Sequence, residues 1–94
     1  MNFKTQIELF NFVWETREHI SEVSYEKLLP KSHFMWHWQF AHILNKGSYK
    51  HYRLNPDNIM LMLPIEHKNQ WDYEVFRHKH ELLKREYHEK YYKL

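Results

Sequence analysis

Nine of the 94 residues are histidines, and imidazole is the side chain that moves protons and binds metals near neutral pH. Six of them, His19, His33, His37, His78, His80 and His88, are expected to carry no chemistry. His78 and His80 lie two apart on a helical stretch and so do not share a face. The chemistry-bearing residues are instead sought in the stretch from Trp36 to Asp72, where His42 ends an aromatic run, Asn58 precedes a short apolar run, and His67 follows Pro64 closely. Each is commonplace alone; together they put two imidazoles, side chains able to take a proton or bind a metal, within one short segment.

The elements that must position them are legible in outline. Thr5 and Glu8 form a capping box, and Phe3, Ile7, Phe10 and Trp14, with Val13 beside them, follow at helical spacing, which predicts an amphipathic helix over 6–18. Ser21 and Ser24 suit a turn, and Tyr25 to Leu29 reads as a short extended or turn segment ended by Pro30. From Phe34 the aromatics alternate with period two, predicting a strand to Ile43 with His42 at the end of its aromatic face. A long loop, 44–58, follows, and loops of such length inside a small domain usually have a function. Ile59 to Leu63 reads as a second short strand, and Pro64 fits the first position of a helix with His67 in its first turn. A helix over about 73–92 carries Phe76, His80, Leu83, Tyr87 and Tyr91 along one stripe, widened by Val75 and Leu82.

Composition narrows the class. The chain is expected to be one small domain, 1–94, too short for a generous core. It has no cysteine, so neither disulfides nor thiolate metal sites are available. No apolar run is long enough to span a membrane and no leader-like block opens the chain, so a cytoplasmic protein is expected. The net charge is only +2. Residues 1–30 sum to −2, whereas 31–72 and 73–94 each sum to +2. Within the loop, Lys46, Lys50, His51 and Arg53 interleave with Tyr49 and Tyr52, a pattern suited to nucleic-acid phosphates.

Strand, long loop, strand and helix, with His42, Asn58 and His67 at the three junctions, resemble the HNH nucleases, or ββα-metal family, over about residues 14–72. The resemblance implies an α+β domain: a two-stranded antiparallel hairpin plus helix, flanked by an N-terminal and a long C-terminal helix. It implies that His42 is the general base and that Asn58 anchors the loop. His67 would ligate one divalent metal, Mg2+ or Mn2+, with Zn2+ or Ni2+ as alternatives. The implied activity is hydrolysis of DNA phosphodiesters, with double-stranded DNA as partner. The alternative is a catalytically impaired DNA-binding or assembly module on the same fold.

Further residues carry the likeness and mark departures from it. Trp14-Glu15-Thr16-Arg17 stands where many members have a tryptophan-glutamate-x-arginine stretch. Ser21 and Ser24, then Leu63 and Glu66, occupy positions of two Cys-x-x-Cys knuckles. No structural zinc is therefore expected, and packing by Trp14, Tyr25 and Leu63 should substitute for it. Phe40 to Gly47 is similar to phage and prophage members, including recombination proteins of the NinG type, which implies phage or recombination proteins as further partners. Ala41 stands where many members carry a second metal ligand. Asp72 and Asn69 are the expected replacements, with Gln39 a weaker one.

Overall fold

The first helix starts as its capping residues dictate. In the computed structural model, which describes residues 3–92, Thr5 Oγ1 accepts the Glu8 N–H at 3.2 Å and Glu8 Oε1 accepts the Thr5 N–H at 3.1 Å. Helix α1 spans Gln6–Thr16 and buries Leu9, Phe10, Val13 and Trp14. Ile7, expected in that stripe, is 74% exposed, and Leu9 takes its place. The helix stops two residues short of 18 because Arg17 turns extended. Its guanidinium then donates to the carbonyls of Ile59 and Pro56, each at 2.6 Å, and bonds Glu22 at 3.2 Å.

Strand β1 is Phe40–His42 and strand β2 is Ile59–Leu61. They pair antiparallel, with Phe40 opposite Leu61, Ala41 opposite Met60 and His42 opposite Ile59. The predicted strand over 34–43 is thus mostly not a strand: Trp36–Gln39 forms a 3-10 turn. The alternation of aromatics there does not come from sheet pairing. β2 presents three partners, and the Gln39 side chain is drawn to Leu29 instead. The hairpin separates two apolar layers. Phe40, Ile59 and Leu61 pack with the stripe of α1. Ala41, Ile43, Met60 and Met62 pack on the other side with Phe76.

Helix α2, Pro64–Lys68, has proline in its first turn, where a missing N–H costs nothing. A 3-10 turn at Gln70–Asp72 separates it from helix α3, Glu74–Tyr91, so the two do not run together. On α3 Phe76 and Tyr87 are buried, while Val75 and Leu82 are exposed rather than part of the buried stripe. The loop after β1 is held against α3: Leu44, Tyr52 and Tyr87 form a third buried cluster, joined by Tyr49 and Leu83. Tyr49 and Tyr52, expected among the phosphate contacts, are therefore packing residues. No helix among the described residues is long and apolar enough to cross a membrane.

The turn carrying Ser21 is tied to the rest by polar groups. Ser21 Oγ accepts the N–H groups of Val23 and Ser24 and donates to Glu66 Oε1 at 2.6 Å, which uses its full hydrogen-bonding capacity. The same carboxylate oxygen accepts the Leu63 N–H at 2.8 Å. Ser21 and Glu66 are both buried. Tyr25, expected to pack here, is 75% exposed, with a left-handed backbone at φ 63°. Trp14 does pack, stacked on His19 at 3.6 Å. Glu22, which sequence alone does not single out, bonds the Leu61 N–H at 2.7 Å and Lys79 at 2.8 Å, joining α3 to the hairpin.

Candidate functional site

His42 and His67 open into the same cleft. It has a volume of about 390 Å³ and is also lined by Gln6, Phe10, His37, Trp38, Phe40, Asn45, Lys46 and Gln70. β1 brings in His42 on the face that looks toward Phe10, whose ring centroid is 6.3 Å away. α2 brings in His67. The period of a strand puts the next residue on the opposite side, so Ala41 is fully buried against Met60 and Phe76 and cannot reach the cleft.

Each imidazole is fixed through one nitrogen to a backbone carbonyl. His42 Nε2 lies 3.1 Å from the Arg53 oxygen, and His67 Nδ1 lies 2.7 Å from the Trp38 oxygen. A carbonyl only accepts, so these nitrogens carry the protons when the rings are neutral. The lone pairs are then on His42 Nδ1 and His67 Nε2. Such a backbone bond is what orients a metal-binding or proton-accepting histidine. Burial and, next, the charge of Lys46 push the His42 pKa down from 6.5 to about 4, with a smaller push from His67, against the opposing pull of the Arg53 carbonyl. At neutral pH the His42 ring is therefore unprotonated and able to accept a proton.

Asn58 sits where loop and β2 meet, fully buried. Its Nδ2 donates to the Leu44 carbonyl at 3.0 Å and its Oδ1 accepts the Leu44 N–H at 2.7 Å. The amide thus closes the two ends of the loop just beyond His42.

The expected replacement ligands are not brought to this place. Asp72 and Asn69 are exposed and line no part of the cleft. Asn69 Nδ2 donates to the Ile65 carbonyl at 3.0 Å. The Gln39 amide, fully buried, is bonded to Leu29 through both of its polar atoms and to the Trp36 carbonyl. The residue that does line the cleft from this segment is Gln70, whose Oε1 is buried and without a hydrogen-bond partner. Sequence reading missed it because its position depends on the break between α2 and α3.

Among the described residues, no three His, Cys, Asp or Glu side chains come together as a metal-holding group. His42, His67 and His37, which was expected to carry no chemistry, bring imidazoles to the cleft, and Gln6, Asn45 and Gln70 bring amides. The amide oxygens of Gln6 and Asn45 already accept from Lys46 and from the Ser48 N–H, whereas that of Gln70 has no partner. His67 and Gln70 would suit an ion whose shell is completed by water and substrate oxygens, not a closed protein cage.

The basic residues of the loop continue the site. Lys46 lines the cleft and also the next groove, about 420 Å³, with Lys4, Gln6, Gly47 and Arg53. Arg53 in turn joins Lys50 and His51 along a third depression. No carboxylate among the described residues lines any of the three. Lys4 was not foreseen in this track. The His51 ring is stacked on Tyr91, with centroids 4.2 Å apart.

No protein-family model, no curated protein and no solved structure matches this chain.

Proposed function

We propose that this chain is a metal-dependent DNA endonuclease of the HNH type, hydrolysing phosphodiester bonds, with an origin in phage. The observation that carries the reading is the pairing of His42 and His67 in one cleft, each ring pinned to a backbone carbonyl so that its other nitrogen is the lone-pair site. His42 Nδ1 takes the proton of the water that attacks phosphorus. Its neutrality at pH 7 follows from burial and Lys46. Asn58 keeps the loop closed so that the Arg53 carbonyl stays in place to orient His42.

His67 and Gln70 are the residues that would hold one divalent ion. When bound, such an ion supplies electrostatic stabilisation of the charge that builds on the phosphate and the leaving oxygen. An imidazole with a neutral amide oxygen favours Mn2+, Ni2+ or Zn2+ over Mg2+. Lys46, Arg53, Lys50 and His51 bind the flanking phosphates and give affinity with little sequence information. Plasmid nicking in the presence of each metal, comparing wild type with His42→Ala and His67→Ala, tests the reading.

A second reading is favoured by one observation: position 41 is turned into the core and offers the cleft no ligand. On that reading the fold binds DNA or assembles with phage or recombination proteins and does not cut. Salt-dependent DNA binding without turnover under any metal would select it.

A further inference from the structure

A further depression adjoins the cleft at Trp38 and His67. It has a volume of about 350 Å³ and is lined by Met35, Trp38, Pro64, His67 and Lys68. Trp38 and His67 line both depressions, so they form the wall between them. The Trp38 side chain is 54% exposed despite its size. Its backbone carbonyl, not its indole, holds His67. Hence a change of the indole leaves the hydrogen bond that orients His67 in place.

We propose that this pocket binds one unpaired nucleobase, so that the preferred substrate carries a single-stranded or extrahelical nucleotide beside the phosphate held at His42 and His67. The proposal rests on the nuclease reading for the role of that phosphate and on the pocket alone for the base. The lining is an aromatic face with methionine and proline, and its polar members are His67 and Lys68; no carboxylate among the described residues lines it. A ligand that is planar and apolar on its faces and anionic at one end matches that lining. A nucleotide within a strand is such a ligand. An apolar side chain would cover the wall but leave Lys68 facing no anion. Bases stacked inside a duplex do not offer their faces, so the base must be unpaired. The shared wall puts base and phosphate on adjacent sides of the same two residues.

The test is fluorescence anisotropy in EDTA, where no cleavage intervenes, with a labelled single-stranded oligonucleotide and the duplex of the same sequence. Trp38→Ala should weaken single-strand binding about tenfold, the loss expected for one stacked base. Because Trp38 also lines the His42 cleft, any fall in duplex binding should be clearly less than that in single-strand binding, and Trp38→Phe should restore most of the single-strand affinity. A second arm uses wild-type protein and needs no variant to fold: an abasic strand of equal length and charge should bind about tenfold more weakly than the normal strand. Single-strand affinity unchanged in Trp38→Ala overturns the proposal, as does an equal loss for strand and duplex. Equal binding of abasic and normal strands also overturns it. So would concentration-dependent self-association that Trp38→Ala abolishes, which would give the pocket to a second copy of the chain. The nuclease reading fails separately, in the plasmid assay with metal, and that failure would leave the binding result standing.

Discussion

The Asn58 side chain holds the backbone of Leu44 at both of its polar groups, its Oδ1 accepting the N–H at 2.7 Å and its Nδ2 donating to the carbonyl at 3.0 Å. This is a ladder step made by a side chain. It continues the hairpin beyond the bond from the Ile43 N–H to the Asn58 carbonyl at 2.8 Å. It also fixes the start of the loop whose Arg53 carbonyl orients His42.

Asn58→Ala removes both partners and leaves two buried backbone groups unsatisfied, so it should cost about 2–4 kcal/mol. Asn58→Asp keeps the acceptor but loses the donor and buries a charge, and should not rescue. Urea unfolding of the three proteins decides this. A loss below about 0.5 kcal/mol for Asn58→Ala would mean that water replaces the amide and that Asn58 is not an anchor.

The Ser21 hydroxyl and the Glu66 carboxylate join the N-terminal turn to α2 by a hydrogen bond of 2.6 Å. Ser21→Ala leaves the buried carboxylate one strong bond poorer and should cost about 1–3 kcal/mol. In His67→Ala, which lacks the proposed ion site, EDTA should leave Tm unchanged. A clear fall in Tm with EDTA in that variant, reversed by zinc, would show that a metal holds this junction after all.

Much of the frame was legible because its signals are local. The Thr5–Glu8 box starts α1 and Pro64 starts α2, each through residues within one turn. The junction positions of His42, Asn58 and His67 were legible for the same reason: His42 ends β1, Asn58 precedes β2 and His67 lies in α2. What failed was non-local. The aromatics of 34–38 alternate as a strand would, yet a strand needs partners, and β2 has only three residues to give. Arg17 and Glu22 reach residues about forty positions away, and nothing beside them in the chain announces this. Tyr49 and Tyr52 look like nucleic-acid contacts beside lysines, but Tyr87 of α3 claims them for a core. Gln70 rather than Asp72 faces the cleft because the chain breaks after α2.

Keeping His42 neutral makes stability depend on pH in a stated direction. Its pKa is about 4 in the fold and 6.5 otherwise, the fall caused first by burial and then by Lys46. Between those values the unfolded chain binds the extra proton, so stability rises with pH through the window. The contribution is fully present above 6.5 and lost as pH falls toward 4. Unfolding free energy measured from pH 7.5 to about 4.5 should therefore drop more steeply for wild type than for His42→Gln. Parallel curves would contradict this. On the proposed nuclease reading, the acid limb of kcat/KM should lie well below 6.5.

The basic track makes a separate claim about salt. Replacing Lys46 or Lys50 by alanine should weaken DNA binding about equally for all sequences and lower the slope of log affinity against log salt by about one each. Lys4→Ala should do the same, since Lys4 lines the middle groove of the track. An unchanged slope in all three would place the DNA elsewhere.

The most direct test of the His42–His67 pairing is supercoiled plasmid nicking at neutral pH with Mg2+, Mn2+, Ni2+ or Zn2+, run on wild type, His42→Ala and His67→Ala. Wild type should nick with at least one metal, most readily Mn2+ or Ni2+. His42→Ala should lose at least about a hundredfold in rate, as expected for removal of a general base. His67→Ala should require far more metal for any residual activity. No nicking with any metal, or a His42→Ala protein that nicks as fast as wild type, would contradict the assignment.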